Sequence, residues 1–68
     1  MLNKNALRAE MVRHGLTQKQ VAKAIGVSEK TFFLRMKSGV FGTDEVAKLI
    51  ELLEIKDPMS IFFANEVT

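Results

Sequence analysis

The sequence lacks cysteine and has a single proline and a single histidine among its 68 residues. Without cysteine, neither a disulfide framework nor a thiolate zinc site can hold the fold together. One histidine alone also supplies too few ligands for a transition-metal site, so we expect no metal and no cofactor. The stability of the fold must therefore come from the packing of helices or sheet.

Long apolar runs are also missing. No unbroken run of apolar residues exceeds four, whereas a helix that spans a bilayer needs about 20. The N-terminal residues 1–5 show no apolar stretch behind their charge that could act as a signal peptide. We therefore expect a cytoplasmic protein without a membrane partner.

Sequence patterns of enzymes are absent as well. The chain contains no glycine-rich phosphate loop, no nucleotide fingerprint and no Ser-His-Asp set. His14 falls at the end of a predicted helix, where a contact with the helix dipole or partial burial explains it better than catalysis. The acidic pairs are explained by a helix N-terminus (Asp44 and Glu45) and by a solvated helix face (Glu51 and Glu54). We predict no enzymatic activity, no catalytic residue and no small-molecule substrate.

The composition is typical of one small globular domain. Apolar residues make up 47 % of the chain and charged residues 26 %, and a chain this short cannot close two cores, so we predict one domain over residues 1–68. The net charge is only +2, yet residues 1–40 carry eight basic and two acidic side chains, whereas residues 41–68 carry two and six. A basic half of this kind indicates a protein that binds a polyanion.

Apolar spacing and capping residues predict five helices and no strand. The first three helices are expected at about Asn5 to Arg13, Gln18 to Ile25 and Glu29 to Lys37. Thr43 is expected to cap the fourth helix, and Asp57-Pro58 to begin the fifth. The expected inward-facing residues are Leu7, Met11, Val21, Ala22, Ile25, Phe32, Met36, Val46, Leu49, Ile50, Leu53, Met59, Phe62 and Phe63.

The second and third helices are joined only by the turn at Ile25-Gly26-Val27-Ser28. This connection is too short for antiparallel packing, so the two helices must cross steeply, as in a helix-turn-helix. Such a pair lets the second helix enter the major groove of DNA, which is about 12 Å wide, while the first helix braces it across the backbone.

The segment from Thr17 to Phe32 resembles the helix-turn-helix of the Cro/CI-type (XRE-like) family. The resemblance rests on Leu-Thr-Gln before the first helix of the motif, Val-Ala three residues later, Ile-Gly-Val-Ser at the turn and the hydrophobic Phe32 four residues after the serine. The tail from Asp57-Pro58 to Ile61-Phe62-Phe63-Ala64 is similar to small phage-encoded regulators of Gram-positive bacteria. The resemblance implies an all-α, five-helix, lambda-repressor-like DNA-binding domain, and a phage or prophage repressor at the bacterial nucleoid.

The same resemblance implies roles for individual residues. Gln18 is expected to anchor a phosphate and to steady the next helix, and the residues that open the third helix are expected to face base edges and phosphates. Leu34 is expected to face the groove. The set predicted to bind DNA is Gln18, Lys19, Ser28, Glu29, Lys30, Thr31, Phe33, Leu34 and Lys37.

Helical geometry supports most of this set from the residues alone. The face opposite Phe32 and Met36 displays Glu29, Lys30, Phe33, Leu34 and Lys37. The ammonium group of Lys30 can donate to guanine O6 and N7, and the carboxylate of Glu29 can accept from cytosine N4. The ammonium groups of Lys19, Lys23 and Lys37 are expected to meet phosphates.

Two apolar features leave alternatives open. Phe33 and Leu34 lie where the DNA-reading helix of this family usually carries polar or basic groups. They either touch thymine methyls or form part of a surface that binds a protein. The second reading makes the chain a helical adaptor or anti-repressor. Adjacent helical residues point about 100° apart, so Phe62 and Phe63 cannot both be fully buried at one place, and one is available to a partner.

The resemblance also implies how the domain acts on its operator. One domain reads only a half-site, so we expect a homodimer on a pseudo-palindromic duplex, with recognition helices about 34 Å apart. The segment from Leu53 to Phe63 is the candidate dimer contact.

Overall fold

The computed structural model describes residues 2–63, and this part of the chain forms five α-helices and no strand. The prediction of an all-α protein is confirmed. Ala64, the last residue of the tail quoted for the resemblance, lies outside the described residues. The helices are α1 (Lys4–Arg13), α2 (Gln18–Ile25), α3 (Glu29–Ser38), α4 (Thr43–Leu52) and α5 (Pro58–Phe62).

Side-chain caps begin α2 and α3 as predicted. At α2, Thr17 Oγ1 accepts from the Gln20 N–H at 3.1 Å, and Gln20 Oε1 accepts from the Thr17 N–H at 2.9 Å. At α3, Ser28 Oγ accepts from the Thr31 N–H at 3.0 Å. These bonds satisfy amide donors that have no partner within the helix, so the helix starts are specified by residues three positions apart.

The start of α4 differs from the prediction, because Gly42 rather than Thr43 is the N-cap residue. Thr43 is the first residue of the helix. The Glu45 carboxylate, three residues after the cap, accepts from the Gly42 N–H at 2.9 Å. In a capping box the side chain at the third helical position accepts from the N-cap N–H, and Glu45 does so here although Gly42 has no hydroxyl to return the bond. The helix therefore begins one residue earlier than expected.

The core lies between α2, α3 and α4, and α5 closes it against α1. Phe32 is fully buried, and its ring packs on Phe41 with the centroids 5.6 Å apart and the planes tilted by 54°. The Asn3 N–H donates to the Ile61 carbonyl at 2.6 Å, which ties the start of the chain to α5. The buried residues are Leu2, Leu7, Met11, Val21, Ala22, Ile25, Phe32, Met36, Leu49, Leu53, Ile55, Ile61 and Phe62.

Two residues expected in the core, Met59 and Phe63, are instead 63 % and 44 % exposed. They lie four positions apart and share one side of the last turn, whereas Ile61 and Phe62 fill the core from the other side. Phe62, the last residue of α5, is buried, and Phe63, the C-cap residue, is exposed, so only one of the adjacent pair is in the core as expected. In α4, Leu49 and the following Leu53 are buried, while Val46 and Ile50 are only partly so.

Within residues 2–63, no helix has the length and apolar character that crossing a bilayer requires.

Candidate nucleic-acid interface

The link between α2 and α3 consists of Gly26, Val27 and Ser28. Gly26 ends α2 in the left-handed region at φ 84°, where a residue with a Cβ would be strained. The Val27 N–H donates to the Ala22 carbonyl at 3.0 Å, so the backbone turns while still bonded to α2. Ser28 then caps α3, which begins at Glu29 and packs directly against α2.

The two sides of α3 differ sharply in burial. Phe32 and Met36 face the core, whereas Phe33 and Leu34 are 56 % and 50 % exposed. A helix turns about 100° per residue, so Leu34 lies nearly opposite the buried pair. What we call the outer face consists of the exposed residues Lys30, Phe33, Leu34 and Lys37. Arg35 is also exposed, but it bonds to Glu45 of α4 and is not counted in this face.

The structure thus brings together most of the residues predicted to bind DNA. Lys30, Phe33, Leu34 and Lys37 form the outer face, and Glu29 is exposed in the first turn of the same helix. The remaining predicted residues lie at the starts of the two helices. Lys19 and Ser28 are exposed there, and Gln18 and Thr31 are half-buried.

Ser28 and Thr31 have distinct roles within this set. Besides capping α3, the Ser28 hydroxyl donates to Thr31 Oγ1 at 2.9 Å. The proton of Ser28 is therefore engaged within the protein, while the Thr31 hydroxyl keeps its own proton for an external acceptor. Of the two hydroxyls, that of Thr31 is the one able to donate to a phosphate or a base.

Lys4 is a basic residue near the outer face that sequence reasoning missed. Its Nζ donates to the Lys37 carbonyl at 2.9 Å, which places the start of α1 at the end of α3. A cation at this end of a helix interacts favourably with the helix dipole. The two residues are 33 positions apart, and no local sequence signal could have paired them.

Arg35, next to Leu34 on α3, is another basic residue that the predicted set omitted. Its Nε donates to both carboxylate oxygens of Glu45, at 3.0 and 3.3 Å, and so joins α3 to α4. The Gly42 N–H holds the pKa of Glu45 below its ordinary value, and the Arg35 guanidinium lowers it further, against the opposing effect of partial burial. The position of Arg35 on the helix was visible in the sequence, but its carboxylate partner was not.

At the far end of α1, His14 has the structural role expected for it. It is the C-cap residue of the helix and is half-buried, with Nδ1 3.0 Å from the Glu10 carbonyl and Nε2 3.5 Å from a Glu54 oxygen. Among residues 2–63, no group of three or more His, Asp or Glu side chains is arranged to hold a metal ion.

An uncharged groove of about 310 Å³ lies between the loop after α3 and the end of α5. Exposed Val40 and Phe63 line it together with Phe41, Val46 and Phe62. This groove contains none of the residues predicted to bind DNA. Residues 2–63 therefore include an exposed apolar surface interleaved with lysines on α3 and another without charge at the end of α5.

No protein-family model matches the chain, and neither a curated protein nor a solved structure is significantly similar to it.

Proposed function

We propose that the chain is a sequence-specific, duplex-DNA-binding transcriptional regulator of the Cro/CI type, with α2 and α3 as its helix-turn-helix. One observation carries this proposal. The outer face of α3 presents Lys30 and Lys37 around Leu34, while Phe32 and Met36 anchor the opposite side in the core. A rigidly held helix with exposed cations and few acidic neighbours is suited to a polyanion.

The dimensions of α3 are compatible with the major groove. Its ten residues make a helix about 15 Å long, and a helix about 10–12 Å in diameter fills a groove about 12 Å wide. In this placement Lys30 donates to guanine, Glu29 accepts from cytosine, and Leu34 with Phe33 contacts thymine methyls. Gln18, Lys19, Lys23 and Lys37 contact phosphates, and the Thr31 hydroxyl donates to a phosphate or base edge.

The regulator acts most simply as a phage or prophage repressor that occludes a promoter. A homodimer on a pseudo-palindromic operator supplies the specificity that one half-site lacks. Within the segment from Leu53 to Phe63, the buried residues are committed to the core, and Met59 and Phe63 remain exposed for a dimer contact. Sedimentation of the wild type and of Phe63→Asp tests this part of the proposal, and an unchanged association state would contradict the contact.

Binding to labelled duplex DNA at increasing salt is the direct test. Fluorescence anisotropy on random duplexes is expected to show binding that weakens steeply between 50 and 200 mM salt, because each neutralised phosphate releases counterions. Selection of bound sequences then identifies the operator. If the folded protein shows no salt-sensitive duplex binding even at low ionic strength, the proposal fails.

A protein-binding adaptor or anti-repressor is the second candidate, favoured by the exposure of Phe33 and Leu34. An apolar contact of this kind depends little on salt. Binding of a regulator that is insensitive to salt and lost in Phe33→Ala and Leu34→Ala, in the absence of DNA binding, would establish this function instead.

A further inference from the structure

Arg35 occupies a position between the outer face of α3 and the first turn of α4. It follows Leu34 on the helix and is rotated from it by about 100°, toward the side on which Glu45 lies. A helix that fills the major groove presents its flanks to the two walls of the groove, and these walls are the sugar-phosphate backbones. Arg35 is thus placed on the flank that faces the backbone on the α4 side.

The hydrogen bonds of Arg35 leave most of its donors unused. A guanidinium has five N–H donors, and within residues 2–63 only Nε is bonded, to the two oxygens of Glu45. Both terminal nitrogens therefore remain for an external acceptor, and the side chain is 44 % exposed. Two terminal nitrogens in a fixed plane match the geometry of a phosphate.

Glu45 holds this guanidinium in place. Its side chain is mostly buried, and Oε1 accepts from the Gly42 N–H at 2.9 Å as well as from Arg35. The carboxylate is thus anchored to the backbone, and it orients the Arg35 plane before any ligand arrives. Lys48 adds positive charge near this carboxylate, since it is one of the groups that lower the pKa of Glu45, whereas exposed Asp44 in the same turn opposes an anion.

Arg13 is paired differently, because one of its terminal nitrogens is already bonded within its own helix. Its Nε and Nη2 both donate to Glu10 Oε1, at 3.2 and 2.7 Å. It lies on α1 beside Lys56 and Ile61, in a hollow that includes no residue of α3. The two arginines thus differ in two respects: Arg13 pairs with a carboxylate of its own helix and uses a terminal nitrogen, whereas Arg35 pairs with a carboxylate of α4 through Nε alone.

On the basis of the proposed DNA binding, we propose that Arg35 binds a phosphate of the operator backbone on the α4 side of α3, and that Glu45 is its positioning residue. Arg35 adds a contact that the lysines on the outer face do not make. The contact is independent of base sequence, because the phosphate is the same at every step.

The test compares Arg35→Ala, Arg35→Lys and the matched control Arg13→Ala in duplex-binding titrations at several salt concentrations. We expect Arg35→Ala to bind about tenfold more weakly at low salt, with unchanged sequence preference. Its slope of log K against log salt should fall by about 0.9, the value for one lost phosphate contact. Arg35→Lys should keep the slope and lose part of the affinity, and Arg13→Ala should match the wild type.

A second measurement keeps the test valid if Arg35→Ala is less stable. A neutral methylphosphonate placed at each operator phosphate in turn should identify one position that weakens the wild type but not Arg35→Ala. A slope unchanged from that of the wild type, or the absence of such a position, overturns the role of Arg35. If the wild type shows no salt-sensitive binding at all, the DNA-binding proposal itself fails, which is a separate result.

Discussion

The two sides of α3 carry adjacent phenylalanines in opposite surroundings. Phe32 is fully buried against Phe41, whereas Phe33 is mostly exposed. The same division recurs at α5, where Phe62 is buried and Phe63 exposed. Adjacent helical residues point about 100° apart, so one phenylalanine of each pair enters the core and the next cannot follow it.

The surroundings of the exposed member differ between the two helices. Phe33 and Leu34 lie among Lys30 and Lys37, whereas Phe63 lines a groove whose walls carry no charge. Apolar groups among cations are suited to thymine methyls between phosphates, and an uncharged apolar groove is suited to a protein surface. Exposed apolar residues alone do not reveal the partner of a helix, and the charges around them are more informative.

The largest expected effect is a difference in stability between substitutions on the inner and outer sides of α3. Phe32→Ala should lower the free energy of unfolding by about 3–5 kcal/mol, because it opens a cavity in the core. Phe33→Ala should change it by no more than about 0.5 kcal/mol, as an exposed substitution does. Urea denaturation followed by circular dichroism measures both. Similar losses in the two variants would contradict the division between the inner and outer sides.

The next effect compares DNA binding by a lysine of the outer face with that by a lysine elsewhere on the protein. Lys30→Ala should weaken binding to the selected operator by about 1–3 kcal/mol and relax the preference for one guanine, with the free energy of unfolding unchanged within about 0.5 kcal/mol. Lys56→Ala, an exposed lysine in the link between α4 and α5, is the control. Equal losses from the two lysines would mean that binding follows the overall charge and not the outer face.

A smaller effect distinguishes Ser28 from Thr31 at the start of α3. Ser28→Ala removes the N-cap and should lower the free energy of unfolding by about 1 kcal/mol. Thr31→Val keeps the capped N–H and removes the hydroxyl, so it should weaken operator binding more than it lowers stability. Denaturation and titration on the same samples check both. A stability loss in Thr31→Val as large as that in Ser28→Ala would refute this assignment of roles.

The smallest effect concerns the link between α3 and α4 and depends on pH. Because the pKa of Glu45 is lower in the folded state, its ionised form stabilises the fold above its unfolded pKa, and this contribution is lost as the pH falls through the folded pKa. Glu45→Gln should therefore be less stable than the wild type near pH 7, by about 0.2–1 kcal/mol. The difference should shrink on acidification toward pH 3. A difference that stays constant from pH 7 to 3 would exclude an electrostatic contribution from this carboxylate.

The sequence by itself determined the five helices, the ends of α2, the cap of α3 and the inner residues of α2 and α3. Each of these depends on residues within four positions of one another, as in the Thr17–Gln20 box and the Phe32–Met36 pair. Interactions at this range form wherever the local backbone is helical, so the spacing of residues in the sequence predicts them.

Only the tertiary structure decided the surroundings of the outer face. The bond from Lys4 to the Lys37 carbonyl joins residues 33 positions apart, and the Arg35–Glu45 pair depends on how α4 docks against α3. Met59 is likewise exposed because the five-residue helix α5 packs its other side against α1 and the core. These features depend on the relative placement of the helices, which is set by the packing of the whole core. Apolar spacing within one helix predicts which side of that helix is buried. It does not predict which residues of other helices pack against that side.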